Sequence, residues 1–544
     1  MIKVKRPQRW DQPFAEDMSD ESVARILSST PLNKLKVDDF SPALPLVGII
    51  KNDTRLVSYQ ANDVVVRKGE YGGSAFLPLT GEVAVILGDF EATLKTKKTF
   101  NFFNANKKMP LDFPLFIQGQ HDSQRLKISA EFRQFLQQNP KHCLSLAPNS
   151  FYGEIAALVR GTRQTTLFAQ TELEVLEIRW QGLRDLMRYD ADLREHIQNL
   201  YKERTLLVQL RNAKFFSHLE SEQLNHLCEQ SLFASYGKFD WQRSFKNITD
   251  EPSVTRLQSE PVIAKEGDYV DGMLLVCSGF VRLSKKINHG EKTIGYLKQG
   301  DIFGFKELAH NWRSDEKLPY QHSLRAIGYV DVIRIPTSVV EQYALSNMAV
   351  SDLPALLGKT DNLDYGLDTG ILEGLVEQRF INGTSTMVID RYRCTGCDDC
   401  VNACASLHDN QPRFIRNGTT IDQYQVTHAC MHCTDPVCLI DCPTGAIYRS
   451  GQRGDILVDD NTCIGCSACA TSCPYDNIFM REVLDKKGRA LFDEQTAMPL
   501  LKASKCDLCV EHGGIPACEQ ACPHDALKRL DMGNIASFVD WFNR

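Results

Sequence analysis

The sequence predicts a multidomain α+β protein: two antiparallel β-roll (jelly-roll) domains with flanking helices, followed by a domain organised around cysteines. Two observations lead there. The first is an internal repeat, in which VVVRKGEYGGSAFLPLTGEVAV (64–85) lines up with VIAKEGDYVDGMLLVCSGFVRL (262–283) and pairs Gly69 with Gly267, Tyr71 with Tyr269, Gly81 with Gly279 and Val83 with Val281. Both copies alternate short β-branched runs with glycine turns, as antiparallel rolls do. The second is the placement of the 19 cysteines, of which only Cys143, Cys228 and Cys277 precede residue 390. Those three read as small buried hydrophobes.

Composition narrows the function. A chain of 544 residues holds several domains, and 43% hydrophobic with 24% charged residues is a globular balance. The net charge of −7 leaves no basic footprint, so no nucleic-acid partner is expected. The amino-terminal MIKVKRPQRWDQPFAEDMSDES has no apolar signal core, and no run approaches the roughly eighteen apolar residues of a membrane span. The expected location is therefore cytoplasmic, where disulfides are rare. The cysteines need another role.

In chain order, residues 1–44 form an amino-terminal segment and 45–212 the first roll. FYGEIA (151–156) corresponds to IFGFKELA (302–309), a shorter step than the main repeat, so the first copy carries an insertion at about 88–148. That insertion is polar and Lys-rich with scattered Phe, and nothing in it names a role. After the strand-like TELEVLEI (171–178), Leu193, Ile197, Leu200, Arg204 and Leu207 recur at helical steps, which predicts a helix over 181–210. The second roll spans 213–355 and a linker 356–388, where LLGKTDNLDYGLDTG is rich in Gly, Asp and Asn. Gly358, Lys359 and Thr360 imitate the end of a phosphate-binding P-loop, but Leu353 stands where that motif requires glycine.

The remaining stretch, 389–544, contains four cysteine quartets. They are Cys394, Cys397, Cys400 and Cys404; Cys430, Cys433, Cys438 and Cys442; Cys463, Cys466, Cys469 and Cys473; and Cys506, Cys509, Cys518 and Cys522. The run C-x2-C-x2-C-x3-C places three thiolates on one iron–sulfur cube and sends the fourth to another. Soft sulfur matches iron, whereas a zinc ribbon separates two C-x-x-C pairs by a longer gap. The block resembles the four-cluster, ferredoxin-like electron-transfer subunits of molybdopterin oxidoreductases. That resemblance implies four [4Fe–4S] clusters with nested ligand sets. Cys394, Cys397 and Cys400 would join Cys522, and Cys404 would join Cys506, Cys509 and Cys518. Cys430, Cys433 and Cys438 would join Cys473, and Cys442 would join Cys463, Cys466 and Cys469. Such a set is a wire for single electrons with no iron left open for substrate. His428, His432 and Lys505 are near enough in sequence to tune potentials or simply to pack.

The stretch YGEIAALVRGTRQTT (152–166) suits a phosphate. Arg163, nine positions after Glu154, offers a planar fork to phosphate oxygens, and the amides of a short helix start add donors. The alternative is that Glu154 and Arg163 pair with each other to hold the roll together. The rolls resemble cyclic nucleotide-binding domains, over about 45–210 and more weakly over 213–350. The resemblance implies a cyclic nucleotide held by Gly153 and Glu154, with the carboxylate on the ribose hydroxyl, and by Arg163 on the cyclic phosphate. Gln164 stands where many members have Ser or Thr, and the hydroxyls fall at Thr165 and Thr166, so cyclic AMP, cyclic GMP and a cyclic dinucleotide all stay open. In the second copy the arginine position is Glu316 or Tyr320, depending on the alignment, and Glu307 follows Gly304 by three residues. That copy reads as a spacer or docking surface.

The expected function is an iron–sulfur electron-transfer subunit of a cytoplasmic oxidoreductase complex, regulated by a cyclic nucleotide at the first roll. No dinucleotide fingerprint, molybdopterin motif or flavin site is present, so substrate catalysis is expected on a partner chain. By analogy, that partner is a flavin- or molybdenum-containing subunit, with a soluble redox carrier at the other end. The rival reading is a sensor without turnover that answers to redox state and cyclic nucleotide. Against it, no basic recognition helix follows the second roll, and a sensor needs only one labile cluster.

Overall fold

The computed structural model describes residues 2–87, 114–118, 125–146, 149–154, 156, 161–213, 215–216, 218–237, 257–288, 290–346, 369–450 and 453–542. The chain forms two compact units, one of Pro13–Leu232 with Glu341–Asn347, the other of Met1–Gln12, Phe233–Val340 and Met348–Arg544.

In the first of these units, helices Asp20–Ser28 and Leu46–Asp53 precede the strands. The first helix begins where the Ser19 hydroxyl accepts from the Ser22 N–H, with Asp20 and Glu21 in its first turn against the positive end of the dipole. Leu173–Arg179 runs antiparallel between Thr54–Tyr59 and Ser74–Thr80. A second sheet orders Val64–Val66, Thr166–Ala169, Val83–Ile86 and Cys143–Ser145. Val66, Phe76, Val83, Val85, Leu167 and Val175 fill the core of this region. Much of the insertion lies outside the described residues. Its described part is a hairpin, Phe116–Gln118 with Leu126–Ile128, and helix Ala130–Gln138, which buries Phe132 and Leu136 against Ala84, Ile86 and Phe168.

The helix expected over 181–210 is two helices, Trp180–Tyr189 and Ala191–Asn212. They part at Asp190, whose backbone is extended and whose carboxylate accepts from the Leu193 N–H at 2.7 Å. A residue that caps a new helix cannot continue the old one. Val208 of the longer helix joins the core described above.

The other unit is built on two long antiparallel strands, Gly272–Ile287 and Ser323–Pro336. Their register shifts on either side of Ser278, and Gly279 at φ +80° brings its Cα so near Tyr329 that a Cβ would meet the carbonyl oxygen at 2.3 Å. A bulge there bends both strands, so one pair closes much of the roll. The cysteine-rich part carries a four-stranded sheet, Ile415–Ile421, Tyr424–His428, Thr386–Asp390 and Leu527–Leu530, and hairpins Ile447–Arg449/Ile456–Val458 and Phe479–Glu482/Leu501–Ser504. The amino-terminal strand Ile2–Val4 lies parallel to Leu491–Asp493.

Residues 356–368 of the expected linker lie outside the described residues. From 369 the chain is helix Thr369–Glu377, and its Ile371, Leu372, Leu375 and Val376 are core. The same cluster takes Phe280, Tyr296 and Ile327 from the roll and Phe380, Val388, Val426, Met431 and Met532 from the cysteine-rich part. Tyr296 Oη donates to Met532 O at 3.0 Å across this seam. Among the described residues, no helix is long and apolar enough to cross a membrane. Of the isolated cysteines, Cys277 is buried, and Cys143 and Cys228 are half-buried.

Candidate functional site

The first C-x-x-C pair of each quartet turns in the same way. The residue before the second cysteine is left-handed in every one: Gly396 at φ 77°, His432 at 51°, Gly465 at 65° and Leu508 at 58°. Glycine takes that conformation freely; His432 and Leu508 are held in it by burial. Short helices follow, Asp399–Ser406, Val437–Ile440, Ala468–Ser472 and Ala517–Gln520, and carry the later cysteines inward.

The thiols gather in four nested groups. Burial, then Cys522 and Cys394, push Cys400 up to about 11. Cys469 is pushed up to about 12 by burial and by Cys442, Cys463 and Cys466. Burial and the neighbours Cys506, Cys404 and Cys509 raise Cys518 to about 12. Cys433 is raised well above the ordinary thiol range by burial, then by Cys430, Cys473 and Cys438. Two cavities repeat the grouping, one lined by Cys394, Cys397, Cys400 and Cys522, the other by Cys442, Cys463, Cys466 and Cys469. Crowded, buried thiols resist losing their protons unless cationic metal replaces them. The donor set and its convergence therefore fit iron–sulfur clusters.

The groups follow one another in space. Helix Asp399–Ser406 carries both Cys400 and Cys404 and packs on the helix that carries Cys518. Cys506 and Cys430 share a small apolar cluster with Leu508. Cys438, Cys442, Cys469 and Cys473 share another. Only at the two ends does a cysteine reach the surface, Cys397 and Cys466.

Backbone N–H groups donate to ligand sulfurs from Arg413 to Cys404 at 3.3 Å, Ile447 to Cys442 at 3.5 Å, Asn477 to Cys473 at 3.4 Å and Ala526 to Cys522 at 3.3 Å. Such donors stabilise negative charge on sulfur. His428 Nδ1 instead meets Tyr475 O at 3.2 Å. His432 is fully buried, and its Nδ1 accepts from the Ile456 N–H at 3.0 Å. His408 and Asp507, which sequence spacing did not single out, lie 3.2 Å apart beside Cys404. That carboxylate, first, and Cys404 next raise His408 to about 10.

The YGEIAALVRGTRQTT stretch lines a pocket with apolar walls from Val66, Val85, Leu146, Leu167 and Val208. Gly153, Glu154, Arg163 and Thr165 all face it. Thr166 does not: its hydroxyl accepts from the Lys68 N–H at 3.0 Å. Arg163 Nη1 and Nη2 donate to Gly153 O and Ser74 O, each at 2.8 Å, and the guanidinium lies 5.4 Å from the Phe76 ring centre. Burial pulls Arg163 down to about 10. Glu154 does not take Arg163 as its ion-pair partner. It pairs with Arg204 of helix Ala191–Asn212, Nη1 to Oε1 at 2.9 Å, and Arg204 also donates to Ser150 Oγ at 2.7 Å and to Phe151 O. Burial raises the Glu154 pKa and Arg204 opposes it. Arg204 falls on the helical stripe but carries no motif, so spacing could not assign it to the site.

In the second copy the backbone decides the alignment. Gly69 N donates to Arg163 O and Arg163 N to Glu70 O; Gly267 N donates to Tyr320 O and Tyr320 N to Asp268 O. Tyr320 therefore stands where Arg163 does. Its hydroxyl donates to Gly272 O at 3.0 Å, the counterpart of Ser74 O, and its ring stacks on Phe303 at 5.1 Å. Phe305, buried, takes the place of Glu154, while Glu307 accepts from the Gln321 N–H at 3.3 Å.

The sequence matches the family models for the cyclic nucleotide-binding domain over residues 254–347, which is the second copy, and for the 4Fe-4S dicluster domain over 421–532. It is 34% identical over 171 residues to the thiosulfate reductase electron transfer subunit PhsB of Salmonella typhi, a match covering 28% of this chain and 80% of that one. It is also 34% identical over 165 residues to the NADH-dependent phenylglyoxylate dehydrogenase subunit beta of Aromatoleum evansii, covering 29% of this chain and 33% of that protein. Among solved structures, the regulatory subunit of a cAMP-independent protein kinase A from Trypanosoma brucei aligns over 65% of this chain and 95% of its own, at 14% identity and a TM-score of 0.22. The match over most of the thiosulfate reductase subunit's length, carried by converging thiols that fit iron and sulfide, places this chain in the family of ferredoxin-like iron–sulfur electron-transfer subunits.

Proposed function

We propose that residues 389–544 hold four [4Fe–4S] clusters and relay single electrons between a catalytic partner subunit, flavin- or molybdenum-containing, and a soluble carrier in the cytoplasm. The observation that carries this reading is the convergence of sixteen cysteines into four groups that follow one another, with Cys397 and Cys466 reaching the surface at opposite ends. When bound, each cluster would supply one-electron storage. The chain's own residues hold it by thiolate, donate N–H groups to its sulfurs and exclude water from the inner groups. Protein purified anaerobically should contain about sixteen iron atoms and sixteen sulfides per chain. Zinc in place of iron, or half that content, overturns the four-cluster reading.

Within the proposed domains 45–212 and 213–355, the first is read as a second roll of the cyclic nucleotide-binding kind, and the one in which an arginine faces a pocket. Its support is the matched backbone pairing of Arg163 and Tyr320 and the pocket faced by Gly153, Glu154, Arg163 and Thr165. A ribose hydroxyl accepted by Glu154 would compete with Arg204, so binding would loosen helix Ala191–Asn212 from the cassette. Calorimetric titration with cyclic AMP, cyclic GMP and cyclic dinucleotides tests this. Binding by one of them that disappears in Arg163→Ala is the expected result, and no binding by any overturns it.

A further inference from the structure

Two cations sit where the two middle thiol groups meet. Arg529 lies on strand Leu527–Leu530, opposite Met387, and its backbone N–H is held by the Glu519 carboxylate. Its Nη2 donates to Cys506 Sγ at 2.9 Å, while Nη1 donates to Cys430 O at 3.1 Å and Ser385 O at 2.9 Å. One guanidinium thus touches ligand residues of both groups. Lys505 is only 2% exposed, and its Nζ donates to Ile456 O at 2.5 Å and Cys506 O at 2.8 Å. Among the described residues, no carboxylate pairs with it. A buried ammonium satisfied by carbonyls alone is costly unless negative charge lies close by. The negative charge on offer is thiolate: Lys505 Nζ bonds to the carbonyl of Cys506 itself, and its charge opposes the rise that burial imposes on the Cys438 and Cys506 thiols. His432, beside it, accepts at Nδ1 and so adds no competing proton there. At the outer Cys394 group, by contrast, Arg416 is paired with Asp398 at 3.3 Å. On the Cys404 side, Asp507 is matched by His408 and Arg413 at 3.2 and 3.1 Å.

We propose that Arg529 and Lys505 form a cationic bridge that raises the reduction potentials of the two middle clusters, the one held by Cys430, Cys433, Cys438 and Cys473 and the one held by Cys404, Cys506, Cys509 and Cys518. This rests on the four-cluster reading above. Each one-electron step adds a unit of negative charge beside these cations and makes or breaks no bond; donor and acceptor are the partners' redox centres. The added charge is favoured where an N–H bonds to sulfur and an uncompensated ammonium lies near. Electrons therefore rest at the centre of the relay, and the two ends stay ready to exchange.

The test is a redox titration of the full chain followed by electron paramagnetic resonance, on wild type, Arg529→Met, Arg529→Lys and Lys505→Met, after iron and sulfide have been counted in each. The expected result is full cluster content with the midpoint potentials of two clusters lowered in both Met variants and the other two unmoved. Arg529→Lys should fall between wild type and Arg529→Met. Full content with unchanged potentials, or with all four shifted alike, overturns the proposal. A wild type that lacks the clusters overturns the four-cluster reading instead, and the bridge with it. If Arg529→Met sheds its iron, Arg529→Lys and Lys505→Met decide, and unchanged potentials in both count against the bridge.

Discussion

At the scale of single residues, the two copies differ by what fills one space. Arg163 and Tyr320 make the same main-chain bonds, but a guanidinium leaves charge at the pocket and a stacked phenol leaves none. The spacing within residues 152–166 reads Gly153, Glu154 and Arg163 as one neighbourhood, and all three face one pocket, because local spacing along a turn survives translation into space. It was silent on Arg204, which reaches Glu154 from a helix fifty positions further along the chain. Removing that guanidinium in Arg204→Ala leaves Glu154 buried without its partner and should cost about 3 kcal/mol near neutral pH. Burial raises the folded-state pKa of Glu154. A carboxyl raised on folding contributes full stability below its unfolded value and loses it as pH rises through the folded one. Without Arg204 the folded value rises further, so the deficit against wild type should shrink as pH falls to about 4. Urea denaturation at neutral and acid pH checks both statements.

At the scale of elements, the cassette turn is the sensitive part. Gly153 has φ +75°, and a Cβ there would meet Arg163 Nη1 at 2.6 Å. Gly153→Ala is therefore expected to cost at least about 1 kcal/mol by backbone strain alone and to abolish nucleotide binding by displacing the guanidinium. Thermal melts and the same calorimetric titration give both numbers. Asp190→Ala should cost about 1 kcal/mol, read by denaturant midpoint, because the longer helix loses its cap. Strands and glycine turns were legible in the sequence because period-two patterning is local. The break at Asp190 was not, since an aspartate on a polar helical face looks like solvated surface until its carboxylate turns back to Leu193. The strand Ile2–Val4 was equally hidden, because its partner is Leu491–Asp493 and nothing in three residues names a partner.

At the scale of the whole molecule, the roll built on Gly272–Ile287 and Ser323–Pro336 and the cysteine-rich part share one core. The sequence reading divided them by a linker at 356–388 on its Gly, Asp and Asn content, which says nothing of how the apolar residues on either side of it pack. Only packing shows that they meet. Leu375, at 2% exposure in helix Thr369–Glu377, lies in that seam. Leu375→Ala should cost about 2–5 kcal/mol. Loss of β-structure by circular dichroism and release of iron should move together to lower denaturant, where two independent domains would separate. The quartets, conversely, stand out by spacing alone, whereas which thiols face one another is not a local matter: Cys394 and Cys522 line one cavity from opposite ends of the block.

That nesting bears on how the chain is made. Ribosomes deliver Cys394 first, yet its group is complete only when Cys522 has emerged, and Cys404 waits for the same late stretch. The groups ending at Cys469 and Cys473 close earlier. A nascent chain halted between 473 and 518 would own two groups with all four thiols and two groups still open. Strand Ile2–Val4 likewise waits for a partner, Leu491–Asp493, that lies far later in the chain. Synthesis and completion therefore run in different orders: the group that receives its first cysteine earliest is among the last to receive its fourth.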